Sequence, residues 1–93
     1  MKTSDYKAVR RFLEDFLTTR LEEQGRVLPN ALKDEDDLLL SGLIDSLGLL
    51  DLVMALNDFT GREIDFESLD PEKMTIVGSL CEFVAATMAE SVR

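Results

Sequence analysis

The residues best suited to chemistry in this chain are Asp45 and Ser46, within Ser41-Gly42-Leu43-Ile44-Asp45-Ser46-Leu47-Gly48-Leu49-Leu50-Asp51-Leu52-Val53. A serine stands where an irregular loop gives way to an apolar helix, with an aspartate before it and a leucine after it. The start of a helix offers backbone N–H groups without intrahelical partners and the positive end of the macrodipole, so an anionic group is favoured there. A hydroxyl in that place is open to esterification, and a phosphate ester is the anion it suits best. The tripeptide alone equally describes an ordinary helix start at which Asp45 or Ser46 does nothing but cap.

The rest of the chain offers little competing chemistry. There is no histidine, so the commonest general base and metal ligand is missing. The single cysteine, Cys81, cannot form an internal disulfide, which fits a reducing, cytoplasmic location. With no histidine beside it Cys81 is no catalytic nucleophile, and it reads as a half-buried small apolar residue. The acidic run Asp34-Glu35-Asp36-Asp37 lacks the alternating ligands, glycine and distant glutamate of a calcium loop, so no metal site is expected. One modifiable serine in an otherwise inert chain suggests a protein that carries cargo, not an enzyme.

Charge and length narrow the partners. Lys+Arg number 10 against 19 Asp+Glu, a net charge of −9. Such a surface repels nucleic acid and anionic lipid and attracts basic protein patches. No apolar run is long enough to span a membrane, and Met1-Lys2-Thr3-Ser4-Asp5 leads straight into amphipathic sequence without the look of a signal peptide. Ninety-three residues with 45% hydrophobic content make one domain, 1–93, expected as a monomer.

The elements that must hold Ser46 follow from periodicity. Tyr6, Val9, Phe12, Leu13, Phe16 and Leu17 recur at three- and four-residue steps and predict a helix over 4–23, which Gly25 stops. Residues 25–45 show no helical period, apart from a helical turn that Ala31–Lys33 can hide. A loop of this length needs a reason, and its leucines are expected to pin it to the core. A second helix is predicted over 46–59, with Leu49, Leu52, Val53, Leu56 and Phe59 facing inward. Leu47, Leu50 and Met54 fall on its far side with Asp51 and Asp58, a row that reads as a docking strip for a partner or as a face the bundle wraps.

Asp70 as cap and Pro71 at the first helical position open a short helix over 66–73. The last helix is predicted over 75–91, capped by Thr75, with Ile76, Val77, Leu80, Phe83, Val84, Thr87 and Met88 as its apolar stripe. Gly78, Ser79, Glu82, Ala85, Ala86, Ala89 and Glu90 form its other face. The expected fold is an all-α four-helix bundle of three main helices and one short one, with a long first loop.

The segment Asp36-Asp37-Leu38-Leu39-Leu40-Ser41-Gly42-Leu43-Ile44-Asp45-Ser46-Leu47 resembles the acyl carrier protein family, which includes aminoacyl and peptidyl carriers. The likeness continues through Asp51-Leu52-Val53-Met54-Ala55-Leu56, Phe59 and Glu63-Ile64, and resumes weakly at Met74-Thr75-Ile76-Val77 and Leu80. The resemblance implies an acyl-carrier-protein-like bundle. It implies that Ser46 bears 4′-phosphopantetheine, transferred from coenzyme A with Mg²⁺ by a phosphopantetheinyl transferase that reads Asp45 as part of its motif. Cargo would then ride as a thioester to enzymes of fatty-acid, polyketide or related biosynthesis. Leu47, Leu50, Asp51, Met54 and Asp58 would meet basic docking patches on acyl- or aminoacyl-activating and acyl-transferring enzymes.

Gly48 and Leu49 depart from the pattern, standing where fatty-acid carriers often have acidic or polar residues. This leaves room for an aminoacyl, D-alanyl or peptidyl carrier of a specialised pathway. A rival of another class is an acidic helical interaction module with no prosthetic group.

Overall fold

The computed structural model describes residues 2–28, 32–61, 63–70 and 72–90; the possible turn at Ala31–Lys33 and Pro71 as a helix start fall partly or wholly outside them. Among the described residues there are three α-helices and one 3-10 turn. We label the helices α1 (Lys2–Glu23), α2 (Ser46–Thr60) and α3 (Val77–Glu90). No strand accompanies them, apart from one isolated antiparallel bridge between Asp37 and Ile76.

Helix α1 buries Val9, Leu13, Leu17 and Leu21, one residue per turn of a single face, with Phe12 and Phe16 half-buried beside them. It stops where expected. The N–H of Arg26 bonds back to the carbonyl of Leu21 and that of Gly25 to Glu22, the paired bonds of a Schellman ending. Gly25 supplies the left-handed residue this ending requires, at φ 73°.

Helices α1 and α3 pack closely together. The reason lies in the residues α3 turns inward: Val77, Leu80, Cys81, Val84 and Ala85 are all buried. The core face therefore includes Cys81 and Ala85, at 0% and 4% exposed, and corrects the expected stripe by one column. Small side chains at this contact let the two helix axes approach; Phe83, Thr87 and Met88 sit half-buried at its margin.

Helix α2 runs antiparallel to α1 and is tied to it at both ends. Phe12 and Phe59 stack with ring centroids 4.5 Å apart, and Arg20 pairs with Asp51 at 3.0 Å. Leu52 and Leu56 fill the core, while Leu49 and Val53 are half-buried. Phe59 is not enclosed as expected: it lies over Phe12 at the edge, 38% exposed. After Gly61 the chain returns to the core through Ile64, whose N–H bonds to the side-chain oxygen of Asn57 at 2.9 Å.

The expected short helix over 66–73 is not a helix of that length. A 3-10 turn covers Phe66–Ser68, and a separate turn follows in which Asp70 accepts from the N–H groups of Glu72, Lys73 and Met74. Asp70 does the capping work expected of it, but the chain must straighten by Thr75. There it joins the bridge to residues 36–38, and α3 starts at Val77, two residues later than periodicity suggests.

This junction fastens the first loop. The N–H of Leu38 bonds to the carbonyl of Thr75 at 2.8 Å. In return the N–H groups of Val77 and Gly78 bond to the carbonyls of Asp36 and Asp34, at 2.9 and 2.8 Å. The first N–H groups of α3, which have no acceptors within the helix, are thus satisfied by the loop. A Cβ on Gly78 would lie 2.9 Å from the Cβ of Asp34, so glycine is what permits this approach. From the other side, Asp34 accepts from Tyr6 at 2.7 Å and from Arg10, and Arg10 also donates to the carbonyl of Leu32.

The leucines of the loop divide in two. Leu32, Leu38, Leu43 and Ile44 are buried, but Leu39 and Leu40 are 36% and 88% exposed and pin nothing. Asp37 caps a single turn, accepting from Leu39 and Leu40 N–H at 3.0 and 3.1 Å. Successive residues of a turn point in directions about 100° apart, so only one of three adjacent leucines can enter the core.

Candidate functional site

Asp45 has the extended backbone of a helix cap (φ −100°, ψ −174°), and its side-chain oxygen accepts from the N–H of Gly48 at 2.7 Å. This decides between the two candidate caps: Asp45 caps, and Ser46 is the first residue of α2. Ser46 is exposed, and its hydroxyl makes no hydrogen bond among the described residues. The backbone N–H groups of Ser46 and Leu47 likewise have no acceptor among them, and both lie at the positive end of the helix.

The approach to Ser46 is set by the fastened loop. After the turn that Asp37 caps, Gly42 takes φ 79°, a left-handed conformation that glycine enters without a Cβ clash. Ile44 then bonds back to the carbonyl of Leu38 at 3.2 Å. Leu43 and Ile44 are buried on either side of this reversal, which leaves Asp45 and Ser46 outward. An open hollow of about 470 Å³ results, lined by Gln24 and Arg26 from the end of α1, by Leu39, and by Gly42 to Ser46.

The carboxyl of Asp37 is held below its ordinary value of 3.8, first by the N–H of Leu40, with further hydrogen bonds from Thr75 and the N–H of Leu39. Its folded value is lower than its unfolded one. The bonds therefore support the loop fully above pH 3.8 and are lost as pH falls through the depressed value. In a carboxyl NMR titration Asp37 should titrate below 3.8, and Asp37→Asn should flatten the acid dependence of stability in that window.

Gly48 is buried in the first turn of α2. A Cβ there would meet Arg20 Nε at 3.0 Å, Ile44 Cβ at 3.1 Å and the capping oxygen of Asp45 at 3.2 Å. Glycine at this position thus has a packing cause: the Arg20 side chain crosses the turn to reach Asp51.

Of the outward residues of α2, Leu47, Leu50 and Met54 are 70%, 59% and 61% exposed, so the helix is not wrapped on this side. Asp58 is exposed as well. Asp51 is exposed but not free, because Arg20 holds it at 3.0 Å. Arg20 and Arg26 are the functional-site neighbours that sequence reasoning missed. Neither belongs to the segment around Ser46, and both reach it only through the antiparallel pairing of α1 with α2 and the turn at Gly25.

Burial pushes the thiol of Cys81 up to about 12, so it stays protonated and unreactive at neutral pH. Burial and the hydrogen bond to Asp34 raise Tyr6 to about 12 as well. Both belong to the clamp between α1, the loop and α3. Among the described residues no cluster of three or more metal-ligating side chains occurs, and no helix is long and apolar enough to cross a membrane.

The hydroxyl and unpaired N–H of Ser46 and the guanidinium of Arg26 line one hollow, with the unpaired N–H of Leu47 next in the chain, a donor set that fits a phosphodiester esterified to Ser46. Comparisons with protein-family models, with curated proteins and with solved structures give no match to this chain.

Proposed function

We propose that this protein is an acyl carrier protein, bearing a 4′-phosphopantetheine arm on Ser46 and handing cargo between partner enzymes. The observation that carries this reading is the placement of Ser46: outward, unbonded, first in its helix and held there by a fastened loop. The resemblance of residues 36–64 to the carrier family adds to it.

The residues divide the work. Ser46 Oγ is the nucleophile toward the phosphorus of coenzyme A. The new Oγ–P bond replaces the bond to 3′,5′-adenosine diphosphate, and the hydroxyl proton passes to the transferase. Asp45 keeps the first turn of α2 in register through Gly48 and completes the motif the transferase reads. The free N–H groups of Ser46 and Leu47 face the phosphodiester charge.

When attached, the arm supplies the thiol on which cargo is held as a thioester. Leu47, Leu50 and Met54 give partners an apolar strip, and Asp58 an acidic point at its far end. With Asp51 already paired to Arg20, the electrostatic share of docking is reduced. In this reading the 3-10 turn at Phe66–Ser68 and the turn after Asp70 would stand where the family has a short helix.

The buried thiol makes the test direct. Native, unmodified protein should show no fast reaction with a thiol reagent, because Cys81 is closed off. Incubation with coenzyme A, Mg²⁺ and a broad-specificity phosphopantetheinyl transferase should add the mass of one arm and one fast-reacting thiol per chain. A protein that gains neither is not a carrier.

A further inference from the structure

We propose that Arg26 receives the phosphate of the group esterified to Ser46; this rests on the carrier reading. Arg26 and Ser46 line the same open hollow, one just past the turn that ends α1, the other at the start of α2.

The guanidinium is held but not neutralised. One terminal nitrogen donates to Gln24 Oε1 and the other to the carbonyl of Gly42, each at 3.2 Å. Both acceptors are uncharged. Arg10 and Arg20, by contrast, are each paired with carboxylates, while Arg26 has none among the described residues. Two hydrogen bonds leave three of its five N–H donors for a ligand. A planar, fixed guanidinium with spare donors is suited to phosphate oxygens, and its charge stands out in a chain of net charge −9.

The charges already at the start of α2 favour a cation here. The positive end of α2 is already shared with the carboxylate of Asp45, which caps Gly48. A phosphodiester on the adjacent Ser46 brings another negative charge beside it. Arg26, lining the same hollow, is the charge that offsets this repulsion.

The test compares wild type, Arg26→Gln and Arg26→Lys, each unloaded and loaded, with loading verified by intact mass. Comparing the two states of one variant removes any cost of losing the bonds to Gln24 and Gly42. At low salt, loading should shift the melting temperature of wild type upward relative to Arg26→Gln, by about 1–4 °C. Arg26→Lys should keep part of this difference, and 0.5 M NaCl should shrink it. The ³¹P resonance of the loaded phosphodiester should move in Arg26→Gln. Equal loading shifts and an unmoved resonance across the three proteins would overturn the assignment while leaving the carrier reading intact. A wild type that gains no mass overturns both.

Discussion

Ser46→Ala should abolish loading completely while leaving the fold in place. The residue is exposed, its hydroxyl bonds to nothing among the described residues, and helix capping is done by Asp45. Alanine at the first position of a helix removes no cap and opens no cavity, so stability should change by no more than about 0.5 kcal/mol. A melting curve overlying wild type, together with no gain in mass and no new fast thiol, is the expected pair of results. Loading that persists in this variant would mean the arm attaches elsewhere, and the assignment of Ser46 would be lost. Loss of folding in the same variant would show that the serine has a structural role not visible in its contacts.

Leu38→Ala carries the largest expected loss of stability. Leu38 is fully buried, its N–H holds the carbonyl of Thr75, and its carbonyl holds the N–H of Ile44. Truncating a leucine in such a place costs about 2–5 kcal/mol, from lost transfer energy and the cavity left behind. For a chain of this size each kcal/mol moves the melting temperature by roughly 4–8 °C. The drop should therefore be on the order of 8–40 °C. Leu40→Ala, two residues on in the same turn, is the control: its side chain is 88% exposed, and its removal should cost about 0.5 kcal/mol or less. Equal effects in the two variants would refute the account of how the loop is held. Because Leu38 also sets the position of Ile44, loading of Ser46 should slow in Leu38→Ala below its melting point.

How much of this was legible beforehand depended on the range of the interactions. Helix α1 and its ending at Gly25 follow from period and one glycine, both local, and the structure places them within two residues. The outward row of Leu47, Leu50 and Met54 was equally local, since a wheel needs only the residues of one helix. The start of α3 was misplaced because Thr75 bonds to Leu38, Ile76 bridges to Asp37 and Val77 bonds to Asp36, partnerships some forty residues apart in sequence with no periodic sign. Ala85 was assigned to the wrong face, and Cys81 was expected half-buried where it is fully enclosed, because a small side chain gives little periodic signal of its own. Around Ser46 the motif pointed to the capping aspartate and the outward serine, while Arg20 and Arg26 lie on another element and could be found only in three dimensions.

The carbonyls of Asp34 and Asp36 that serve the start of α3 also set an order of events. On the ribosome, the nascent loop has only its contacts with Tyr6 and Arg10 of α1 to hold it until residues 75–78 have been synthesised and released from the exit tunnel. Ser46 is made long before that, yet its surroundings cannot settle until then. If Ser46 is loaded as proposed, attachment by an enzyme that reads the finished shape would follow translation of that distant turn, and truncated translation products ending short of it should be left untouched.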